Sequence, residues 1–317
     1  MESPFTGGKA TLVFQEQVFE YRKEKISYIN VSYRCEDTGE LFAPPALEDF
    51  NLLRIYNQYR ALHNIPFPDE IVKTRTMYGL SRPMMSKILG FGEHQLSRYE
   101  NDGEVPSESN GRILAAIQNP AVFAVYLNNA KNQISEKDFD KISSHLSKIN
   151  MGTTDVYKNV VRGKMNGLGE LNIRKATQAA LYLIDKAGEI SVAKFNAMIL
   201  YADLYAYVKN AKSITGFAYQ KNNLQNIEPK NFISFYGELS SNAIFACDEN
   251  GVISIASIAK NKTFDELSKQ ETEILDYVFT DFSKMNEKQI AKKINQDFSN
   301  GFDFDAAFSL GEIDNFF

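Results

Sequence analysis

The stretch SVAKFNAMILYADLYAYVKN, Ser191–Asn210, constrains the fold more than any other part of the chain. After Ser191 it runs for about 19 residues without glycine or proline, and apolar side chains fall on nearly every helical face. A helix with no polar face has to be surrounded, which puts it in the middle of a bundle. It carries one carboxylate, Asp203, that must then be buried or half-buried and needs donors around it. That group either fixes the register of the helix or contacts a partner.

The second half supplies neighbours for this helix. In NIRKATQAALYLIDKAG, Ile173, Ala176, Ala180, Leu183, Ile184 and Ala187 form one stripe, closed by Gly188. AIFACDENGVISIASI reads as a β-hairpin around Asn250-Gly251. Thr263 and Glu266 make a capping box before the helix DELSKQETEILDYVFTDF, and a last helix covers Glu287–Asn295. Beyond Lys293 there is no basic residue, and QDFSNGFDFDAAFSLGEIDNFF sets six phenylalanines among five carboxylates. Phenylalanine at that density needs a surface: a latch over the bundle, a partner-binding tail and disorder are the three readings.

The first half begins differently. From Thr11 to Phe42 polar and apolar residues alternate, with Val18, Tyr21, Ile26, Tyr28, Ile29, Val31 and Tyr33 as strand formers and Asp37-Thr38-Gly39 as a turn. Two or three short antiparallel strands are expected, ended by Pro44-Pro45. A helix carrying Leu47, Phe50, Leu53, Ile55, Tyr56 and Tyr59 follows, closed by Pro66 and Pro68. Between the halves, NMGTTDVYKNVVRGKMNGLGELN has four glycines and little periodicity, and reads as a linker. Its Gly163, Gly167 and Gly169 lack the preceding strand and the Gly-Lys-Ser/Thr ending of a phosphate loop.

GLSRPMMSKILGFGEHQLSRYENDGEVPS, Gly79–Ser107, punctuates itself as two short helices joined by Gly-Phe-Gly. Asp69 is expected to cap a helix over Glu70–Tyr78. Ser81 caps the next, with Pro83 in its first turn and Gly90 as its stop. A third runs from about Glu93 to Asn101, and Met84, Ile88, Leu89, Leu96 and Tyr99 face inward with Ile71 and Leu80. Further helices are expected over Asn110–Gln118, Ala121–Lys131 and Glu136–Ile149.

This is the pattern of a helix-turn-helix, whose second helix lies in the major groove. Gln95, Ser97 and Arg98 have base-reading chemistry: an amide for adenine, a hydroxyl, a guanidinium for guanine. His94, Lys87 and Arg82 are candidates for phosphate contact. Between Lys73 and Arg112 there are six basic and five acidic residues, so one copy neutralises few phosphates and useful affinity needs a dimer on a palindrome. With a net charge of −5, broad phosphate neutralisation is not the main activity of the chain.

Other classes are poorly supported. Two cysteines, Cys35 and Cys247, build neither a disulfide framework nor a complete zinc site, so no metal is expected. His63, His94 and His145 are scattered, and no nucleophile elbow, zinc-binding His-Glu helix or dinucleotide fingerprint is present. Neither an enzymatic activity nor a cofactor is expected. No signal-peptide core and no 18-residue apolar run is seen, and the expectation is a cytoplasmic protein with no membrane contact.

The strings YRCEDTGELF, IYNQYRALHNIPFPDEIVKTRTMYGLS and ILGFGEHQLSRYENDGEVPSESNGRIL resemble the MqsA-type antitoxins, over about Phe14–Phe123. That family joins a β-rich, zinc-binding N-terminal piece to a Xre-like helix-turn-helix. The resemblance implies a dimeric repressor of its own operon, bound to operator DNA. Zinc-binding members carry two Cys-x-x-Cys pairs; here only Cys35 remains, so the sheet must stand on aromatic packing.

LNIRKATQAALYLIDKAGEISVAKFNAMILYADLYAYVKNAKSITGFAYQK, followed by FDELSKQETEILDYVFTDF, resembles the Panacea or SocA-like antitoxin domain over about Asn172–Phe298. That resemblance implies a helical domain that neutralises a toxin by binding it, small alarmone synthetases being among the toxins so bound. Asp203, Tyr201, Tyr205, Tyr207 and Tyr219 are the candidate toxin contacts, with core or rim packing as the plainer reading of the tyrosines.

The expected architecture is mainly α with a small N-terminal antiparallel β piece. A β-rich region spans 1–45, a helix-turn-helix domain 46–150 and a linker 151–171. A toxin-neutralising helical domain carrying a β-hairpin spans 172–298, and an acidic, Phe-rich tail 299–317. The function expected is that of a type II antitoxin which also regulates its operon. The alternative is a stand-alone transcription regulator whose helical domain senses a ligand or a phage protein.

Overall fold

The computed structural model describes residues 1–101, 103–149, 162–221, 227–230, 232–249, 253–258, 263–299 and 302–310. The protein is mainly helical, with a three-stranded N-terminal sheet. It divides into two compact units: Met1–Phe19, Ser27–Asn51 and Val160–Phe317 form the first, Glu20–Ile26 and Leu52–Asn159 the second.

Strands β1 (Ala10–Tyr21), β2 (Glu24–Cys35) and β3 (Leu41–Phe42) lie in that order, with Tyr33 opposite Phe42. Those two rings stack at 5.7 Å, and Phe5 meets Phe42 edge-on at 5.7 Å, so aromatic packing does support this corner. The two-residue tip of the hairpin is Arg22-Lys23, with φ of 51° and 69°. Helix α1 (Pro45–His63) follows, and its Asn51 side chain bonds both the N–H and the C=O of Val31 on β2, at 2.9 and 2.8 Å.

Unit 2 holds α2 (Pro68–Met77), α3 (Arg82–Leu89), α4 (Gln95–Asn101), α5 (Glu108–Ala116), α6 (Pro120–Asn129) and α7 (Glu136–Lys148). Local chemistry sets most of their ends. Ser81, Ser107, Asn119 and Ser135 each accept a first-turn N–H, and Gly90 closes α3 at φ 71°. At α2 the expectation fails: Phe67, not Asp69, precedes the helix, and the Glu70 carboxylate accepts the Phe67 N–H at 2.7 Å. Ile71, Leu80, Ile88, Leu89, Leu96 and Tyr99 are buried in one core, as their spacing suggests. The buried methionine is Met85; Met84 packs at the edge.

In unit 1, α8 (Ile173–Ala187), β4 (Glu189–Ser191) and α9 (Val192–Asn210) lead into β5 (Tyr219–Lys221) and β6 (Ile227–Pro229). Then come α10 (Phe232–Leu239), β7 (Ala243–Cys247), β8 (Ile253–Ser257), α11 (Lys269–Ser283) and α12 (Glu287–Asp297). Helix α9 contacts α8, α11 and α12, and every residue from Ala197 to Val208 is buried. It is the central helix that its composition demands. Strands β7 and β8 pair antiparallel, with β4 on the other side of β8; the expected turn residues Asn250-Gly251 lie outside the described residues.

Helix α11 starts at Lys269, not at Asp265. Its capping box is Ser268 with Glu271, not Thr263 with Glu266. Asp265 and the Glu266 N–H are instead bonded to the two ends of the Gln178 amide, at 2.7 and 2.9 Å, which holds the chain off helical geometry there.

The piece expected to be a linker is structured where it is described; residues 150–161 lie outside the described residues. Arg162, Asn166, Leu168 and Leu171 are buried. Gly216, at φ 70°, lies so close to this segment that a Cβ there would sit 2.3 Å from the carbonyl of Glu170. The tail is also packed where described. Phe304 and Phe308 are buried against Tyr207, and Phe302 meets Tyr219 at 5.4 Å, which is the latch reading for residues 302–310.

Candidate nucleic-acid interface

In the α3–turn–α4 pair, α4 faces the core with Leu96, Tyr99 and Glu100, which turns Gln95, Ser97 and Arg98 outward or to the rim. Glu93 and His94 belong to the turn, two residues ahead of the helix. Lys87 and His94 are exposed, and Arg82 is half-exposed.

The helix is oriented by Glu100, whose side chain is fully buried. One oxygen accepts from Arg75 Nε at 2.7 Å; the other accepts from Arg75 Nη2 at 3.0 Å and from Arg82 Nε at 2.7 Å. Arg75 also donates to the Leu80 carbonyl at 2.8 Å. One carboxylate thus ties α4 to both α2 and α3. Arg82, expected on phosphate, spends its guanidinium here and on Asn101 Oδ1 at 3.2 Å.

Two of the candidate side chains, Gln95 and Arg98, form a closed network with Glu104. Gln95 Nε2 donates to Glu104 Oε1 at 2.8 Å, Arg98 Nη2 donates to Gln95 Oε1 at 3.0 Å, and Arg98 Nη1 lies 3.4 Å from Glu104 Oε2. Ser97 Oγ accepts from Asn101 at 3.3 Å. The segment carrying Glu104 is bracketed by two arginines. Arg60 donates to the carbonyls of Gly103 and Glu104 at 2.7 and 3.3 Å. Arg22, at the hairpin tip, donates to those of Val105 and Pro106 at 2.7 and 2.8 Å. Arg22 also lies over the rings of Tyr21 and Tyr59, 5.3 Å from each centroid. Burial lowers Arg60 to about 10, which leaves it charged at neutral pH.

Sequence reasoning missed Glu100, Arg75, Glu104, Arg22 and Arg60. The one available signal was Arg-Lys at a hairpin tip. Two positive φ values there favour Asn-Gly, and a strained pair in that place calls for a reason.

The five candidate toxin contacts are internal. Tyr201, Asp203, Tyr205, Tyr207 and Tyr219 each expose 2% or less. Their side chains are spent inside unit 1, so none of them offers a partner surface. Asp203 accepts from the N–H groups of Ile214 and Thr215 at 2.9 and 2.8 Å, from Tyr219 Oη at 2.6 Å and from Thr215 Oγ1. It pins the Ser213–Gly216 loop to α9, which is the register-fixing role. Tyr207 donates to Asp305 of the tail at 2.7 Å.

Burial pushes the Asp203 carboxyl up to about 6, and the bonds from Thr215, Tyr219 and Ile214 only partly counter it. The folded chain therefore holds this proton more tightly than the unfolded one. The group's contribution to stability is full below about pH 4 and declines as pH rises to about 6. In urea melts, the stability gap between the natural chain and Asp203→Asn is expected to narrow across that window. A gap that stays constant would mean that Asp203 does not titrate there.

Among the described residues no group of three or more His, Cys, Asp and Glu side chains could hold a metal, and no helix is long and apolar enough to cross a membrane. Cys35 is buried, where hydroxyl groups of Ser3 and Thr38 lower its thiol to about 6. Compared with protein-family models, curated proteins and solved structures, the chain matches none.

Proposed function

We propose that the chain is a DNA-binding regulator of the antitoxin kind: unit 2 reads an operator through α4, and unit 1 holds a protein partner. The observation that carries the first part is the α3–α4 pair, in which a buried carboxylate ties to α2 and α3 a short helix that carries Gln95, Ser97 and Arg98 on its outer side. The exposure of Lys87 and His94 supports a role for them at phosphate, and the small local excess of positive charge supports binding by two copies on a palindrome. The second part rests on the resemblance of Asn172–Phe298 to the Panacea domain. The partner surface is made by residues other than the five buried ones.

Arg98→Ala is expected to weaken binding to duplex DNA from immediately upstream of the chain's own reading frame by about ten- to a hundredfold, the worth of one bidentate base contact. Rescue of growth on co-expression with the product of the neighbouring gene should be unchanged. Equal binding by natural chain and variant would remove α4 as the reading helix. Equal loss of DNA binding and rescue would mean that repression itself is the protection.

A further inference from the structure

We infer that Glu104 sets the specificity of DNA reading by holding Gln95 and Arg98 closed until a matching base sequence replaces it. This rests on the proposal that α4 reads DNA. Both ends of the Gln95 amide are engaged, one by Glu104 and one by Arg98, and the Arg98 charge is balanced by the Glu104 carboxylate. The network is at the surface: the side chains of Arg98 and Glu104 are 52% and 39% exposed. A phosphate or base edge can therefore reach it. Generic duplex gains little there, because a phosphate approaching Arg98 meets Glu104 beside it. A guanine offering O6 and N7 to Arg98 and an adenine offering N7 and N6 to Gln95 restore the bonds that opening breaks. Wrong sequences leave the separated groups without partners.

Glu104 is held in place for this task. Four successive carbonyls, Gly103 to Pro106, accept from Arg60 and Arg22. Arg22 takes a positive φ to do so, at a tip where Asn-Gly would be unstrained. The bracket explains why an arginine occupies that turn.

The test uses the full chain and mixed-sequence double-stranded DNA. Glu104→Gln is expected to bind about tenfold more tightly than the natural chain. Its plot of log affinity against log salt should steepen by about 0.9, as Arg98 becomes free to neutralise one phosphate. Replacing Arg22-Lys23 by Asn-Gly cuts half of the bracket while relaxing the turn. It should act in the same direction but more weakly, and add nothing in the Glu104→Gln background. The Gln95 side-chain amide protons, followed by NMR without DNA, should exchange faster in the Asn-Gly variant and in Glu104→Ala, which leaves them no acceptor at that position. Faster exchange with unchanged or weaker DNA binding would overturn the inference and leave DNA reading standing. Failure of every form of the chain to bind duplex at low salt would remove both.

Discussion

Asp203→Ala is expected to lose at least ~3 kcal/mol of stability at neutral pH. Four donors converge on that carboxylate, two of them backbone N–H groups that cannot turn elsewhere. Each buried donor left without a partner costs about 1–3 kcal/mol. Relief of the buried charge returns part of this, since burial opposes ionisation of Asp203 in the first place. The damage reaches further than the site. The Ser213–Gly216 loop that Asp203 holds also packs on Asn166–Leu171, with Ser213 Oγ donating to the Asn166 carbonyl at 2.8 Å. Urea denaturation should show unfolding moved to lower denaturant. Stability within about 0.5 kcal/mol of the natural chain would refute the role given to this group. For the same reason a fragment beginning at Asn172 lacks a packed strip of its own unit and is expected not to fold.

Glu100→Ala should be nearly as costly in unit 2, at about 3 kcal/mol. Removing one partner of a buried charge pair leaves the other charge uncompensated. Here Arg75 is the stranded group: its side chain is only 13% exposed, and it keeps just the Leu80 carbonyl. Arg82, at 41%, can turn to water. The functional consequence exceeds the loss of stability, because α4 has only two turns and Glu100 is its charged tie to α2 and α3 beside the packing of Leu96 and Tyr99. DNA binding is expected to fall even at temperatures where unit 2 remains folded. Glu100→Gln keeps the volume and one acceptor and should lose less on both counts. An alanine variant with natural stability and natural DNA affinity would show that the carboxylate does not orient the helix.

What was legible in the sequence follows from which forces are local. The surroundings of α9 could be read because a helix apolar on all faces has one place to go. The core of unit 2 could be read from helical spacing, and the starts of α3 and α9 from Ser81 and Ser191, whereas the caps read at Asp69 and Thr263 are not the ones the chain uses. Where two adjacent residues compete, as Met84 and Met85 do, spacing pointed to Met84 and the core takes Met85. The misplaced start of α11 has a distant cause, the Gln178 amide on another helix. The glycines at 163, 167 and 169 gave the same local signal as a linker; what makes Gly169 structural is Gly216, whose Cα would be 2.9 Å from any Cβ added there. The tyrosines of α9 were offered as contacts because aromatic residues serve interfaces and cores alike, and only the packed tail and neighbouring helices decide between the two. At the candidate interface the outward side chains were found from their chemistry. The carboxylates that govern them act from a loop and from the inner face of a helix, with no periodicity to mark them.

If α3 and α4 form the surface that meets DNA, bound duplex must shield them. Amide hydrogen exchange on the full chain, with and without duplex DNA from upstream of its own reading frame, tests it directly. Added protection is expected over Arg82–Asn101 and at Gly103–Pro106, with α8, α9 and α11 unaffected. Protection confined to unit 1, or no change in any segment at saturating DNA, would contradict that placement of the DNA surface.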